Sequence, residues 1–234
     1  MRLIHTAALA LVLSVGLAGP GSAQAPAETS RPVAGGIGVQ GWTGKIDASE
    51  EKAGRALADA KLAGTPTKLE VTTGPAVTYW DPANTASGTY TVKATFTEAN
   101  FMGLNDHPHP YGIVIAGTGM GTAEQSYLYC GAYGNGTFIV RGFGPEPFQM
   151  NGRRSEANAA VHKADAKGAS VTQEIAMSVK ADRVECAING TTVGSYPKAD
   201  VVAAGKLKST DGVYGVRFGH NTSATVTGLT MVKD

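Results

Sequence analysis

The run Val171–Tyr196, VTQEIAMSVKADRVECAINGTTVGSY, constrains the fold more than any other stretch of the chain. Val171, Gln173, Ile175, Met177 and Val179 share one parity. After the polar turn Lys180-Ala181-Asp182, Val184, Cys186 and Ile188 share one parity too. Alternation with period two marks strands that bury one face. Asn189-Gly190 then leads into a third run, TTVGSY. Asn-Gly is the strongest short hairpin signal, because both residues tolerate positive φ. The stretch predicts three antiparallel strands in a meander.

Strands dominate the rest of the chain as well. Lys68–Thr73 and Ala76–Trp80 flank Gly74-Pro75, and Asp81-Pro82 with Ser87-Gly88 brackets a loop. In Thr89–Thr97, Tyr90, Val92, Ala94 and Phe96 face one way and threonines and Lys93 the other, which predicts a solvated threonine face. Tyr111–Ala116, Ser126–Tyr133, Thr137–Phe143, Gly212–Phe218 and Thr225–Val232 complete the set. A long irregular stretch, Gly144–Ser170, lies between; loops beyond about 12–15 residues are uncommon and often functional. One segment reads differently. ASEEKAGRALADAKLAG, from Ala48, has Ser49 as a candidate N-cap, acids in the first turn and an Ala53, Ala56, Leu57, Ala60 stripe, so a short helix is expected. Many short strands without long helices predict an all-β, antiparallel two-sheet sandwich.

Met1 to about Ala25 has a basic n-region at Arg2, an apolar run from Leu3 to Leu17, and a small-x-small site at Ala23-Gln24-Ala25. We read residues 1–25 as a bacterial export signal, residues 26–41 as a flexible lead-in rich in Pro, Ala and Gly, and residues 42–234 as one sandwich domain. The expected location is the periplasm or the exterior. No second apolar run of spanning length follows, so no membrane insertion is expected after cleavage. Of 20 basic residues, Arg2 leaves with the leader, and the rest face 19 acidic ones without blocks of one sign. That balance argues against a nucleic-acid partner. The oligomeric state is left open, and no cofactor is expected.

Few residues suggest chemistry. His107 and His109 in DHPHP could form a metal pair with Asp106, but a metal needs further ligands and none is signalled, so a Pro-stiffened loop with solvated histidines is the preferred reading. His162 and His220 read as lone structural or surface residues. Cys130 and Cys186 are the only cysteines, both at core parity. Two alternatives stand: a disulfide, if their strands are neighbours or face each other across the sandwich, or two buried thiols. The sequons at Asn135, Asn189 and Asn221 read as turn chemistry.

The order YGIVI, SYLYC, FIVRG, V-x-C-x-INGTTVGSY, GVYGVRF and ATVTGLTMV resembles the concanavalin A-like lectin/glucanase jelly roll, over about Thr67–Val232. Within it the chain is most similar to laminin-G-like and 3-keto-disaccharide hydrolase-like domains of secreted bacterial proteins. The resemblance implies a jelly-roll sandwich whose concave sheet carries a ligand groove. The paired acids E-x-D-x-x-E of glucanases of this fold are missing, and Pro110-Tyr111-Gly112 stands where the hydrolase-like domains carry Asn-Ser-Gly. A non-catalytic carbohydrate- or glycoconjugate-binding module is the leading expectation. A glycoside-acting hydrolase and a structural or protein-interaction domain are the alternatives. The expected ligand site uses Tyr127, Tyr129 and Tyr133 on one strand face, Arg141 beside them, and Asn151, Arg153 and Arg154 closing over from the long loop. Aromatic faces stack on sugars, and an Arg fork binds hydroxyls or carboxylates.

Overall fold

The computed structural model describes residues 29–233; the expected leader lies outside the described residues. In chain order the strands are β1 (Gly36–Ile37), β2 (Thr43–Ile46), β3 (Ala60–Thr65), β4 (Lys68–Thr73), β5 (Val77–Ala86), β6 (Tyr90–Glu98), β7 (Tyr111–Thr118) and β8 (Ser126–Tyr133). They continue as β9 (Thr137–Phe143), β10 (Pro147–Gln149), β11 (Glu156–Ala157), β12 (Val171–Val179), β13 (Arg183–Ile188), β14 (Thr191–Pro197), β15 (Gly212–Phe218) and β16 (Ser223–Lys233). Among the described residues two short α-helices, α1 (Ala48–Lys52) and α2 (Lys198–Val201), and a 3-10 turn at Leu57–Asp59 accompany them.

The strands form two sheets packed face to face. The first runs β1-β3-β4-β16-β6-β12-β13-β14, and the second β10-β9-β8-β7-β15-β5-β2, with β11 beside β9. Every pair is antiparallel except β1 with β3. This is the antiparallel jelly-roll sandwich that the strand pattern predicts. The meander is present, and Asn189 and Gly190 turn it with φ of 50° and 79°. The Asn189 amide also ties the long loop down. It donates to Ala160 O at 2.8 Å and to Gln173 Oε1 at 2.7 Å, and Gln173 is fully buried with His162 as its other partner.

The core between the sheets collects one face of each strand. Tyr90, Val92, Ala94 and Phe96 of β6 meet Tyr111, Ile113 and Ile115 of β7, Leu128 of β8 and Phe218 of β15. Cys130 on β8 and Cys186 on β13 sit in this core, on opposite sheets, and form a disulfide with Cα atoms 6.0 Å apart. The bridge crosses the sandwich, which resolves the two alternatives left open by the sequence.

Three expectations are corrected. The expected short helix forms over Ala48–Lys52, but the stripe does not continue as α-helix beyond it, apart from a 3-10 turn at Leu57–Asp59. Gly54 leaves the helical region with φ of 80°, and Ala60 and Leu62 enter the core at period two, as β3. Tertiary pairing with β4 overrides the alanine-rich propensity. The loop expected at Asp81-Pro82 is part of β5, which continues to Ala86 on an edge where proline costs no ladder bond. The boundary expected at Trp42 also moves. The lead-in is already packed from residue 29: Val33 N donates to Asp59 O, Gly36–Ile37 pairs with β3, and Val39 is buried.

Candidate functional site

Strand parity builds the site on the outer face of the second sheet. In β15, Val216 and Phe218 enter the core, so Arg217 must take the opposite face. In β8, Leu128, Cys130 and Ala132 point inward and Tyr127 and Tyr129 point outward. In β9, Phe138 and Val140 point inward, leaving Ile139, Arg141 and Phe143 on the outer side. Register then sets Tyr127 opposite Phe143, and Tyr129 opposite Arg141.

The outer face is not solvated at its centre. Tyr127 is 0% and Tyr129 3% exposed, and they form a second apolar cluster with Val114 and Ile139, edged by Met120, Tyr133 and Phe143. The expectation of an open tyrosine face that stacks directly on a ligand is corrected. The parity assignment holds, but a guanidinium and neighbouring rings cover the face. Arg217 lies 4.7 Å from the Phe143 ring centroid, 5.2 Å from Tyr129 and 5.9 Å from Tyr127. Its Nη1 donates to Tyr127 Oη at 2.9 Å and to Thr78 Oγ1 at 3.1 Å. Thr78 also donates to Tyr127 Oη, at 2.9 Å. Burial pushes the Tyr127 hydroxyl up to about 12, with Arg217 pulling the other way.

Arg217 is neutralised by Asp47, which begins α1. Nη1 reaches Oδ1 at 2.7 Å and Nη2 reaches Oδ2 at 2.6 Å. Asp47 stands at the N-cap position, yet its side chain makes no cap bond, because the carboxylate is turned onto Arg217. Burial alone would push the guanidinium down; Asp47 beside it raises it well above its ordinary value, so Arg217 stays charged.

Above this pair lies a cavity of about 540 Å³. One wall is Lys45 of β2 with Asp47, Ser49 and Glu51; a second is Thr122 and Gln125 of the β7–β8 loop; the third is Arg141, Phe143 and Pro147 of the β9–β10 hairpin. Lys45 and Glu51 pair across the rim at 2.9 Å. Arg141 lies 5.3 Å from the Phe143 centroid, so that ring is contacted by two guanidiniums. The groove offers a half-buried aromatic face, a carboxylate of fixed orientation, and both signs of charge. Such a set can hydrogen-bond hydroxyls and stack on a C–H surface.

Of the residues expected here from sequence, Arg141 lines the groove, while Tyr127, Tyr129 and Tyr133 support it from below or from its edge. Asn151 does not close over it. Asn151 is buried, accepts Val140 N at 2.8 Å and donates to Phe138 O at 3.3 Å, acting as a substitute strand partner for β9. Arg153 and Arg154 are exposed in the bend after β10 and do not line the groove. Sequence reasoning missed Asp47, Phe143 and Arg217. A charged residue between two apolar ones in GVYGVRF was the available signal for Arg217. His107 and His109 lie away from the groove lining and are joined by His220, which sequence alone left as a lone residue. Among the described residues no helix is long and apolar enough to cross a membrane.

No protein-family model matches the chain, and no curated protein matches its sequence. Solved structures do match. A carbohydrate binding module, CBM66 from Bacillus subtilis, superposes with a TM-score of 0.54 at 9% identity, over 86% of this chain and 99% of that one. A protein of unknown function with a galectin-like fold, also from Bacillus subtilis, superposes with a TM-score of 0.53 at 11% identity, over 82% of this chain and 89% of that one. At these identities the likeness concerns architecture alone: the chain shares the antiparallel two-sheet β-sandwich of these structures.

Proposed function

We propose that this protein is an exported, non-catalytic carbohydrate-binding module whose ligand lies in the groove over Arg217 and Asp47. The observation that carries this reading is the groove's composition. The Phe143 ring stands beside a carboxylate locked by a bidentate guanidinium, with Arg141 and Gln125 on the walls. Pre-organised polar groups around an aromatic face suit a polyhydroxylated ligand, because they lose little freedom on binding. That a structural neighbour is named a carbohydrate binding module supports the reading. Binding is preferred to hydrolysis because the groove's two carboxylates are both committed, Asp47 to Arg217 and Glu51 to Lys45. Placement beside the laminin-G-like and 3-keto-disaccharide hydrolase-like domains rests on the strand motifs, and export rests on the leader pattern.

The test is a glycan array followed by calorimetry on the hits. Arg141→Ala and Gln125→Ala, both outside the buried pair, should weaken binding by about 1–3 kcal/mol. A hit whose affinity neither variant changes would place the ligand elsewhere. Turnover of a keto-glycoside would replace binding with hydrolysis. Cell fractionation that leaves the full-length chain in the cytoplasm would overturn export.

A further inference from the structure

The loop between β6 and β7 meets the turn between β15 and β16 at a cluster of imidazoles. One ring nitrogen from each of His107, His109 and His220 lies within 4.8 Å of the other two. The ring centroids of His109 and His220 are 3.9 Å apart, and those of His107 and His109 4.4 Å. We propose that these three histidines bind a divalent transition-metal ion of the zinc class, with a coordination position left for water or an incoming ligand.

The surroundings fix two of the rings for this task. Ser30 Oγ lies 2.8 and 2.7 Å from the two carboxylate oxygens of Glu50, so its single proton is directed at Glu50. Toward His220 Nδ1, 3.3 Å away, the Ser30 oxygen must therefore accept. That places the His220 proton on Nδ1 and makes Nε2 the nitrogen that carries the lone pair. His107 Nδ1 lies 2.8 Å from Asp106 Oδ1, which accepts from it and fixes the same tautomer. Carboxylate–histidine and hydroxyl–histidine contacts of this kind orient imidazoles and raise their basicity as metal ligands. His109 is half-buried between the other two rings, which holds it in place within the cluster.

The backbone keeps the two loops in contact. Gly219 N donates to Pro110 O at 2.7 Å, and a Cβ on Gly219 would come 2.9 Å from the Cβ of His109. Asn221, with φ of 49°, accepts Arg31 N at 2.8 Å, which sets the segment carrying Ser30 beside His220. Tetrahedral ligation at about 2.0–2.1 Å needs nitrogens roughly 3.4 Å apart, so closing the site takes a side-chain movement of about 1 Å. Imidazole nitrogens select borderline ions over Ca²⁺ and Mg²⁺, which prefer oxygen.

The experiment is calorimetry of the mature protein with Zn²⁺, with Ca²⁺ and Mg²⁺ as controls, together with the absorption spectrum of the Co²⁺ form. One Zn²⁺ per chain, no response to Ca²⁺ or Mg²⁺, and a ligand-field spectrum of low-symmetry nitrogen ligation are expected. His109→Gln and His220→Gln should abolish binding. Asp106→Asn should weaken it about tenfold to hundredfold. His162→Gln, outside the cluster, should leave it unchanged. Absence of Zn²⁺ binding by the wild-type chain overturns the proposal, as does a folded His109→Gln/His220→Gln chain that still binds. If those variants do not fold, the Co²⁺ spectrum of the wild type decides: an aquo-ion spectrum alone overturns the site. Glycan binding through the groove is a separate readout, and neither result depends on the other.

Discussion

Asp47 and Arg217 are 170 residues apart in the chain and meet through two parallel hydrogen bonds, 2.7 and 2.6 Å long. The Arg217 side chain is 7% and the Asp47 side chain 19% exposed. Removing one partner of such a pair leaves a buried charge uncompensated, which typically costs about 3–5 kcal/mol. Asp47→Ala should therefore lower unfolding stability by about that much in urea denaturation. Asp47→Leu with Arg217→Met should recover most of the loss, because the charge goes with its partner. A single-variant cost below about 1 kcal/mol would mean that the pair behaves as a surface bridge.

Tyr129 is a structural residue. Tyr129→Ala removes a ring packed under Arg217 and Phe143, and large-to-small changes of this kind cost about 3–5 kcal/mol. The melting temperature should fall by several degrees. An unchanged melting temperature with lost glycan binding would show that the ring is exposed in solution.

Glu98 contributes a falling component to the pH dependence of stability. The residue is 5% exposed, accepts Met102 N at 3.3 Å through Oε1, and its Oε2 is buried with no hydrogen-bond partner among the described residues. Burial raises its carboxyl to about 7, with the Met102 bond working slightly the other way. Between the unfolded value of 4.5 and about 7 the native state holds a proton that the unfolded chain does not. Stability from this group therefore falls as pH rises through that window, by roughly 3 kcal/mol at most. Glu98→Gln should remove this falling component and stabilise the protein at pH 8 relative to its stability at pH 4.5. Thermal melts from pH 4.5 to 8 on both chains check this; a stability difference between them that does not change with pH would overturn the assignment.

Cys130 and Cys186 close a loop with a sequence separation of 56 residues. A chain-entropy account gives a bridge of that span about 4 kcal/mol. Mass spectrometry of the protein should show no alkylation before reduction. Cys130→Ala with Cys186→Ala should lower stability by up to that amount. Two thiols that alkylate without reductant would mean that the bridge does not form in the cell.

The strands that alternate cleanly were legible, and β8, β9 and β15 have the bounds the sequence suggested, because each sends every other residue into the core between the sheets. Asn189-Gly190 was legible for the same local reason. The rest depended on what the sheets bring together. Ala60 and Leu62 look helical until β4 pairs with them. The tyrosine face was assigned to the correct side, but nothing local shows that Arg217, from a strand far along the chain, lies over it. The same holds for His220, which joins the other histidines only through the turn between β15 and β16, and for the cysteines, whose strands could not be assigned to sheets. Parity is encoded within a strand; what covers a face is encoded in topology.

The crossing disulfide has a mechanical consequence. Strands β9 to β12, including the hairpin that carries Arg141 and Phe143, lie between the two cysteines. A chain drawn out by its two ends could not extend that segment, because the load would pass through the sulfur bridge. At about 3.4 Å per residue, roughly 190 Å of contour length would be withheld until reduction. Under tension the hairpin wall of the groove would be the part of the protein left slack.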